Sequence, residues 1–209
     1  HAGALLGMAL VSAEGFSSKA EELAEKAAKA DPSLLEAQEL LARLALERNR
    51  LDEARAAGRK AVAMKPGGAL DAMAVLAAAD WLEDKTASEW ESAALKINPK
   101  YGEFYGIAAR IFILHRRYKE SIALYEKALR LEPENWRNRS ELGVNLMRLG
   151  RDNEAKQNLE AAYNAGFRDA ATVNTLRLLD SYSRFDLIRK GNTVLRLSKK
   201  ESDLLRIYV

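Results

Sequence analysis

Small and apolar residues recur along this chain at helical spacing, and they do so in pairs of helices. Between Tyr101 and Asn135, the residues Tyr105, Ala108, Ala109 and Phe112 share one face of a first helix. Ser121, Tyr125 and Ala128 then share one face of a second. The next stretch repeats the pattern with Leu142, Gly143, Leu146, Gly150, Ala155, Leu159 and Ala162. Earlier, Leu41, Ala42 and Ala45 are followed by Ala54, Gly58 and Ala61. At the N-terminus Leu6, Gly7 and Leu10 precede Ala20, Ala24 and Ala27. Ala2 to Ala13 has the apolar character of a secretory leader, but no basic residue precedes it and it fits the same register, so it reads as a first helix.

Proline marks the period. The chain's 4 prolines stand at Pro32, Pro66, Pro99 and Pro133, spaced about 34 residues apart. Each lacks an amide donor and restrains the residue before it, which stops one helix where the next pair begins. Two antiparallel helices approach closely only where one side chain is Ala, Gly or Ser, while Leu, Tyr and Phe fill the adjacent layers. Spacing, proline and small-residue positions together resemble the tetratricopeptide repeat family over residues 1 to about 183. The resemblance implies an all-α, right-handed α-solenoid of about five helix pairs. The unit ending at Pro99 is the most degenerate, one residue short and with Trp81 and Trp90 where smaller residues are usual.

The pattern changes after Phe167, where the next proline is due and absent. Ala170 to Tyr182 still reads as a helix, with Val173, Leu176 and Leu179 on one face, and would cap the last repeat. Phe185–Arg189 and Thr193–Leu197 then alternate with period two around Lys190-Gly191-Asn192, a hairpin signal. Ser198 and Glu201 have capping-box spacing, so a helix is expected to start there and run through Leu204, Leu205 and Ile207. Residues 184–209 thus read as the start of a following domain, and the chain, which opens on His1 directly before a helix, as part of something longer.

The run from Asn174 to Val209, with the segments around Ile97–Tyr105 and Glu141–Arg151, resembles bacterial proteins in which such repeats precede a gluzincin-type zinc metallopeptidase domain. That resemblance implies an enzyme for the parent molecule. It places no catalytic machinery here, because the HExxH motif that would bind zinc and activate water is missing: the 2 histidines are His1 and His115, and neither lies in such a motif.

Composition narrows the chemistry. The chain is 48% hydrophobic and 30% charged, as an ordered helical repeat would be. It has no cysteine, which excludes disulfides, thiolate metal sites and cysteine nucleophiles. Net charge is +3, with the basic excess placed after residue 170, too sparse a stripe for nucleic acid. No stretch is long and apolar enough to span a membrane. His115 falls in an inter-helix turn, and Trp81, Trp90 and Trp136 read as packing residues. No catalytic, metal or cofactor site is expected, and the compartment is left at the cytoplasmic default, with a periplasmic or secreted alternative.

What remains is the groove lined by the first helix of each pair. By register, its partner-binding candidates are Glu39, Arg43, Arg110, Leu114, Arg137, Val144, Met147, Arg148 and Asn174, with Glu36, Glu47, Glu103, Ser140 and Tyr182 alongside. Families that bind the C-terminal carboxylate of heat-shock chaperones place Lys and Asn in their repeats where this chain has Glu, Gly, Arg, Ser and Val. The expected partner is a protein or peptide, or an adjacent domain of the same chain, held by charge-assisted contacts to arginine.

Overall fold

The computed structural model describes residues 1–13, 17–191, 193–205 and 208. The chain divides into two compact units, His1–Asn138 and Arg139–Val209. The first holds the helices α1 (Ala2–Ala13), α2 (Ser17–Ala30), α3 (Leu35–Glu47), α4 (Leu51–Met64), α5 (Leu70–Leu82), α6 (Ser88–Ile97), α7 (Glu103–Leu114) and α8 (Tyr118–Leu131). Helix α9 (Trp136–Arg148) crosses the division. The second unit continues with α10 (Asp152–Asn164), α11 (Ala170–Ser181), a 3-10 turn (Tyr182–Arg184), the strands β1 (Phe185–Lys190) and β2 (Thr193–Ser198), and α12 (Ser202–Leu205).

Helices pack where the register puts small residues. Ala54, Gly58 and Ala61 of α4 are buried, and Leu76 of α5 sits so near Gly58 that a Cβ there would stand 3.0 Å from Leu76 Cγ. Every residue from Ala72 to Ala79 is buried, because α5 is packed by α3, α4, α6 and α7. A helix apolar on all sides suits that central place. Trp81 stacks on Tyr105 with ring centroids 6.3 Å apart, and Phe104 meets both rings edge-on.

Each described turn within a pair from α3 onward is closed by one left-handed residue: Asn49, Asp84, Arg116 and Gly150. The next amide reaches back into the helix, as in Arg50 N to Ala45 O and Arg117 N to Phe112 O, both 2.9 Å. This satisfies carbonyls that the helix end would otherwise leave open. In the pairs α3–α4, α7–α8 and α9–α10 the residue before the second helix is an arginine bonded to the glutamate three positions on: Arg50–Glu53, Arg117–Glu120 and Arg151–Glu154. Arg50 also pairs with Glu21 of α2, and Arg117 donates to the carbonyls of Trp81 and Leu82 at 3.3 Å. These side chains tie successive pairs together.

In the second unit, Gly143 meets Leu159 and Ala155 as the register predicts. β1 and β2 pair antiparallel with Phe185 opposite Ser198 and Lys190 opposite Thr193, so the alternation at 185–197 does form a hairpin.

Four expectations are corrected. Gly7 lies in open space and Leu10 is exposed; Leu6 and Ala9 form the buried stripe of α1. In α11 the buried stripe is Thr172, Thr175 and Leu179, rather than Val173, Leu176 and Leu179. Asp169 caps α11 through Thr172 N (2.9 Å), and the Thr172 hydroxyl reaches the hydroxyl of Ser140 at 2.5 Å, so polar groups occupy the interface with their bonds satisfied. Ser140 is therefore an interface residue, 2% exposed, and not a groove residue. Finally, Ser198 ends β2 instead of capping a helix. The last helix starts at Ser202, whose hydroxyl donates to Asp186 Oδ2 at 2.6 Å. Ile207 lies outside the described residues.

Candidate interaction surfaces

The first helices α3, α5 and α7, with Leu10 of α1, enclose a small cavity of about 170 Å³ in the first unit. Glu36, Glu39, Arg43 and Asp71 supply its charge, and Leu40, Val75 and Ile107 its apolar wall. Glu39 is half-buried, whereas Glu36 and Asp71 are exposed. Its carboxylate accepts from Ala72 N at 3.3 Å, in the first turn of α5. Burial, then the charges of Asp71 and Glu36, raise its pKa to about 7 against the opposing backbone bond. Asp71 in turn accepts from the Tyr101 hydroxyl, which burial and that carboxylate push upward. A carboxylate held near neutrality by desolvation and like charge marks a place where a cation would be welcome.

Arg43 Nε lies 3.7 Å from Glu47 Oε1, and burial outweighs Arg43 and Arg110 in raising the Glu47 pKa. Arg110 belongs to a polar network with Glu103 and Asn138. It pairs with Glu103 and donates to Asn138 Oδ1 at 3.3 Å, while Asn138 Nδ2 donates to Glu103 Oε2 at 3.1 Å. Leu114 is 58% exposed and Arg137 is exposed.

The structure therefore brings Glu39 and Arg43 into one cavity and places Arg110 in the neighbouring network. The remaining candidates lie in the second unit: Val144 and Met147 half-buried, Arg148 and Asn174 exposed. Arg148 Nη1 donates to Asn145 Oδ1 at 3.0 Å. Sequence reasoning missed Asp71, Tyr101 and Asn138. For Asn138 a signal existed: it stands one period after buried Phe104 and one before buried Thr172.

Among the described residues no group of His, Asp and Glu could hold a metal ion, and no helix is long and apolar enough to cross a membrane. The geometry is that of a stacked helix-pair repeat whose first helices carry charged and exposed apolar side chains.

Comparison with known proteins bears on that class. Two tetratricopeptide repeat models match residues 5–69 and 112–177, together more than half of the chain. The chain belongs to the tetratricopeptide repeat family. A thermophilic repeat protein of Thermus thermophilus is 24% identical, over 86% of this chain and 98% of that one, with a TM-score of 0.63. A tetratricopeptide repeat protein from Parabacteroides merdae is 15% identical over 86% and 71%, with a TM-score of 0.60. These likenesses show the fold. No curated protein matches the chain.

Proposed function

We propose that the chain is a non-enzymatic docking module, holding a protein or peptide partner along the first helices of its repeats. The observation that carries this is the open cavity of α3, α5 and α7, where Glu36, Glu39 and Asp71 stand together with one arginine. A fold stabilised for its own sake would not keep Glu39 desolvated beside two like charges, so the arrangement fits an external cation such as a lysine or arginine side chain. A photo-crosslinking residue at Arg43 tests it, with one at Lys60 of α4 as control. Partner adducts from Arg43 and none from Lys60 are expected; equal labelling from both overturns the reading.

A second reading takes the repeats up to about residue 183 as the N-terminal scaffold, or substrate-presenting module, of a larger zinc metallopeptidase. The hairpin at 185–198 supports it, since a two-stranded sheet is foreign to the helix-pair repeat. An HExxH motif encoded after Val209 decides for it, and its absence against. Under either reading these residues bind no zinc of their own. Metal analysis after mild chelation is expected to find far less than one equivalent, and one tightly held zinc per chain would refute this.

A further inference from the structure

Helix α1 carries no charged residue from Ala2 to Ala13, and every other described helix carries at least one. A helix apolar on all sides is ordinarily packed on all sides, as α5 is. α1 is packed on one side only. Leu6 and Ala9 join the core shared with α2 and α3, while Met8 is 57% and Val11 77% exposed. Ala4 and Gly7 share that open side, and a Cβ built on Gly7 would meet nothing within 4 Å.

The internal repeats show what such a face normally meets. With α1 shifted by one position, Leu6 and Ala9 stand where α3 has Ala42 and Ala45. Ala4 and Met8 then match Leu40 and Leu44, which are 4% and 1% exposed in the cluster that α3 shares with α1 and α2. Gly7 and Val11 match Arg43 and Glu47, so α1 is apolar even where α3 is charged. A terminal repeat ordinarily makes its outer face polar, and an apolar one marks a place of association.

We propose that α1 pairs with α1 of a second copy of this chain, antiparallel across a two-fold axis. Two properties of the face select this occupant. It holds no charge, so it offers nothing to a charged partner, and two copies strip no ion of water when they meet. It is also complementary to itself in size. An antiparallel pairing centred between Gly7 and Met8 sets Gly7 opposite Met8 of the second copy, and Ala4 opposite Val11 of the second copy. Each layer then holds one small and one large side chain, which lets the helices approach closely, and each contact occurs twice. A helix of 12 residues is about 18 Å long, so the pairing buries less than the roughly 800 Å² per partner of a standard interface. The dimer is therefore weak and depends on concentration.

The test is sedimentation equilibrium of the full chain from micromolar to near-millimolar concentration. A monomer–dimer equilibrium is expected, with no larger species. Met8→Lys and Val11→Glu, both at exposed positions, should each weaken it at least tenfold. Circular dichroism and thermal midpoints confirm that these variants stay folded. The chain has no cysteine, so introduced thiols report the register cleanly. Ala4→Cys mixed with Val11→Cys should give a disulfide-linked dimer on mild oxidation. Neither should do so alone, because like positions then stand seven residues apart along the axis, about 10 Å, beyond disulfide reach. A chain that stays monomeric throughout, a dimer indifferent to both charged substitutions, larger assemblies, or cross-linking by Ala4→Cys alone would each overturn the proposal. None of these results touches the docking reading of the α3, α5 and α7 cavity.

Discussion

Gly106 of α7 faces Asn138 so closely that a Cβ at Gly106 would stand 2.5 Å from Asn138 Oδ1. The close approach lets Asn138 be fully buried with its amide bonded to Glu103 and its carbonyl oxygen to Arg110. A polar residue in a helix interface is tolerated when it is satisfied in this way.

Gly106→Ala should therefore destabilise the first unit by about 1–3 kcal/mol, the usual cost of overpacking. The gain in helix propensity from alanine, about 1 kcal/mol, works against this but is smaller than a clash with a side chain bonded at both ends. Urea denaturation would show a lower midpoint; an unchanged or higher one means that Asn138 gives way.

Gly143→Leu should fail more severely, because a Cβ there would lie 2.6 Å from Leu159 Cγ and 3.0 Å from the Ala155 carbonyl, which cannot rotate away. A loss of about 3 kcal/mol is expected. Leu142→Ala, at a site 5% exposed, should cost about 2–5 kcal/mol through the cavity it leaves. Thermal midpoints measure both, and a midpoint unmoved by either change would show the packing register to be wrong.

Glu39 gives a pH signature. Its folded pKa, raised to about 7 from 4.5, means that the folded protein binds this proton more tightly than the unfolded chain. The stability so contributed is complete below pH 4.5 and is lost as pH rises to about 7. Glu39→Gln keeps the acceptor for Ala72 N and removes the charge beside Asp71 and Glu36. Its thermal midpoint should exceed that of the native chain at pH 8 and match it at pH 4. A constant difference across that range would place the pH dependence elsewhere.

Arg116 adopts φ 58°, a left-handed conformation in which a side chain costs about 1–2 kcal/mol and glycine costs nothing. Arg116→Gly should stabilise the chain by up to about 1 kcal/mol after the added freedom of the unfolded state is counted. Gly150→Ala, at φ 73° in the equivalent turn, should lose a similar amount. Denaturant midpoints moving in the same direction for both variants would contradict this.

A side chain of the hairpin reaches both α10 and the 3-10 turn. Arg196 pairs with Asp152, and its guanidinium lies 3.9 Å over the Tyr182 ring. Arg196→Ala should speed hydrogen exchange at the β1 amides by tenfold or more while leaving α10 unchanged, since a two-stranded sheet is marginal alone. Equal protection in both proteins would show that the strands hold themselves.

Much of this was readable in advance for a local reason. A helix pair makes its contacts within one period, so the demand for small residues at crossings falls on fixed positions; Ala54, Gly58, Ala61, Ala128, Ala155 and Ala162 are all buried as the register requires. The hairpin was legible for a similar reason, since alternation and a Lys-Gly-Asn turn are short-range signals. Thr172 and Thr175 were not, because an apolar face is the simpler reading until a partner such as the Ser140 hydroxyl is known to lie opposite.

The sequence by itself determined the period and the helix pairs, both set by neighbours within about 34 residues. Only the tertiary structure decided which charges converge. Glu39 and Asp71 stand 32 positions apart, Arg110 and Asn138 28, and they meet because successive helices stack. Burial and long-range proximity, which set the Glu39 pKa, depend on where whole helices lie, and no single stretch of chain encodes that.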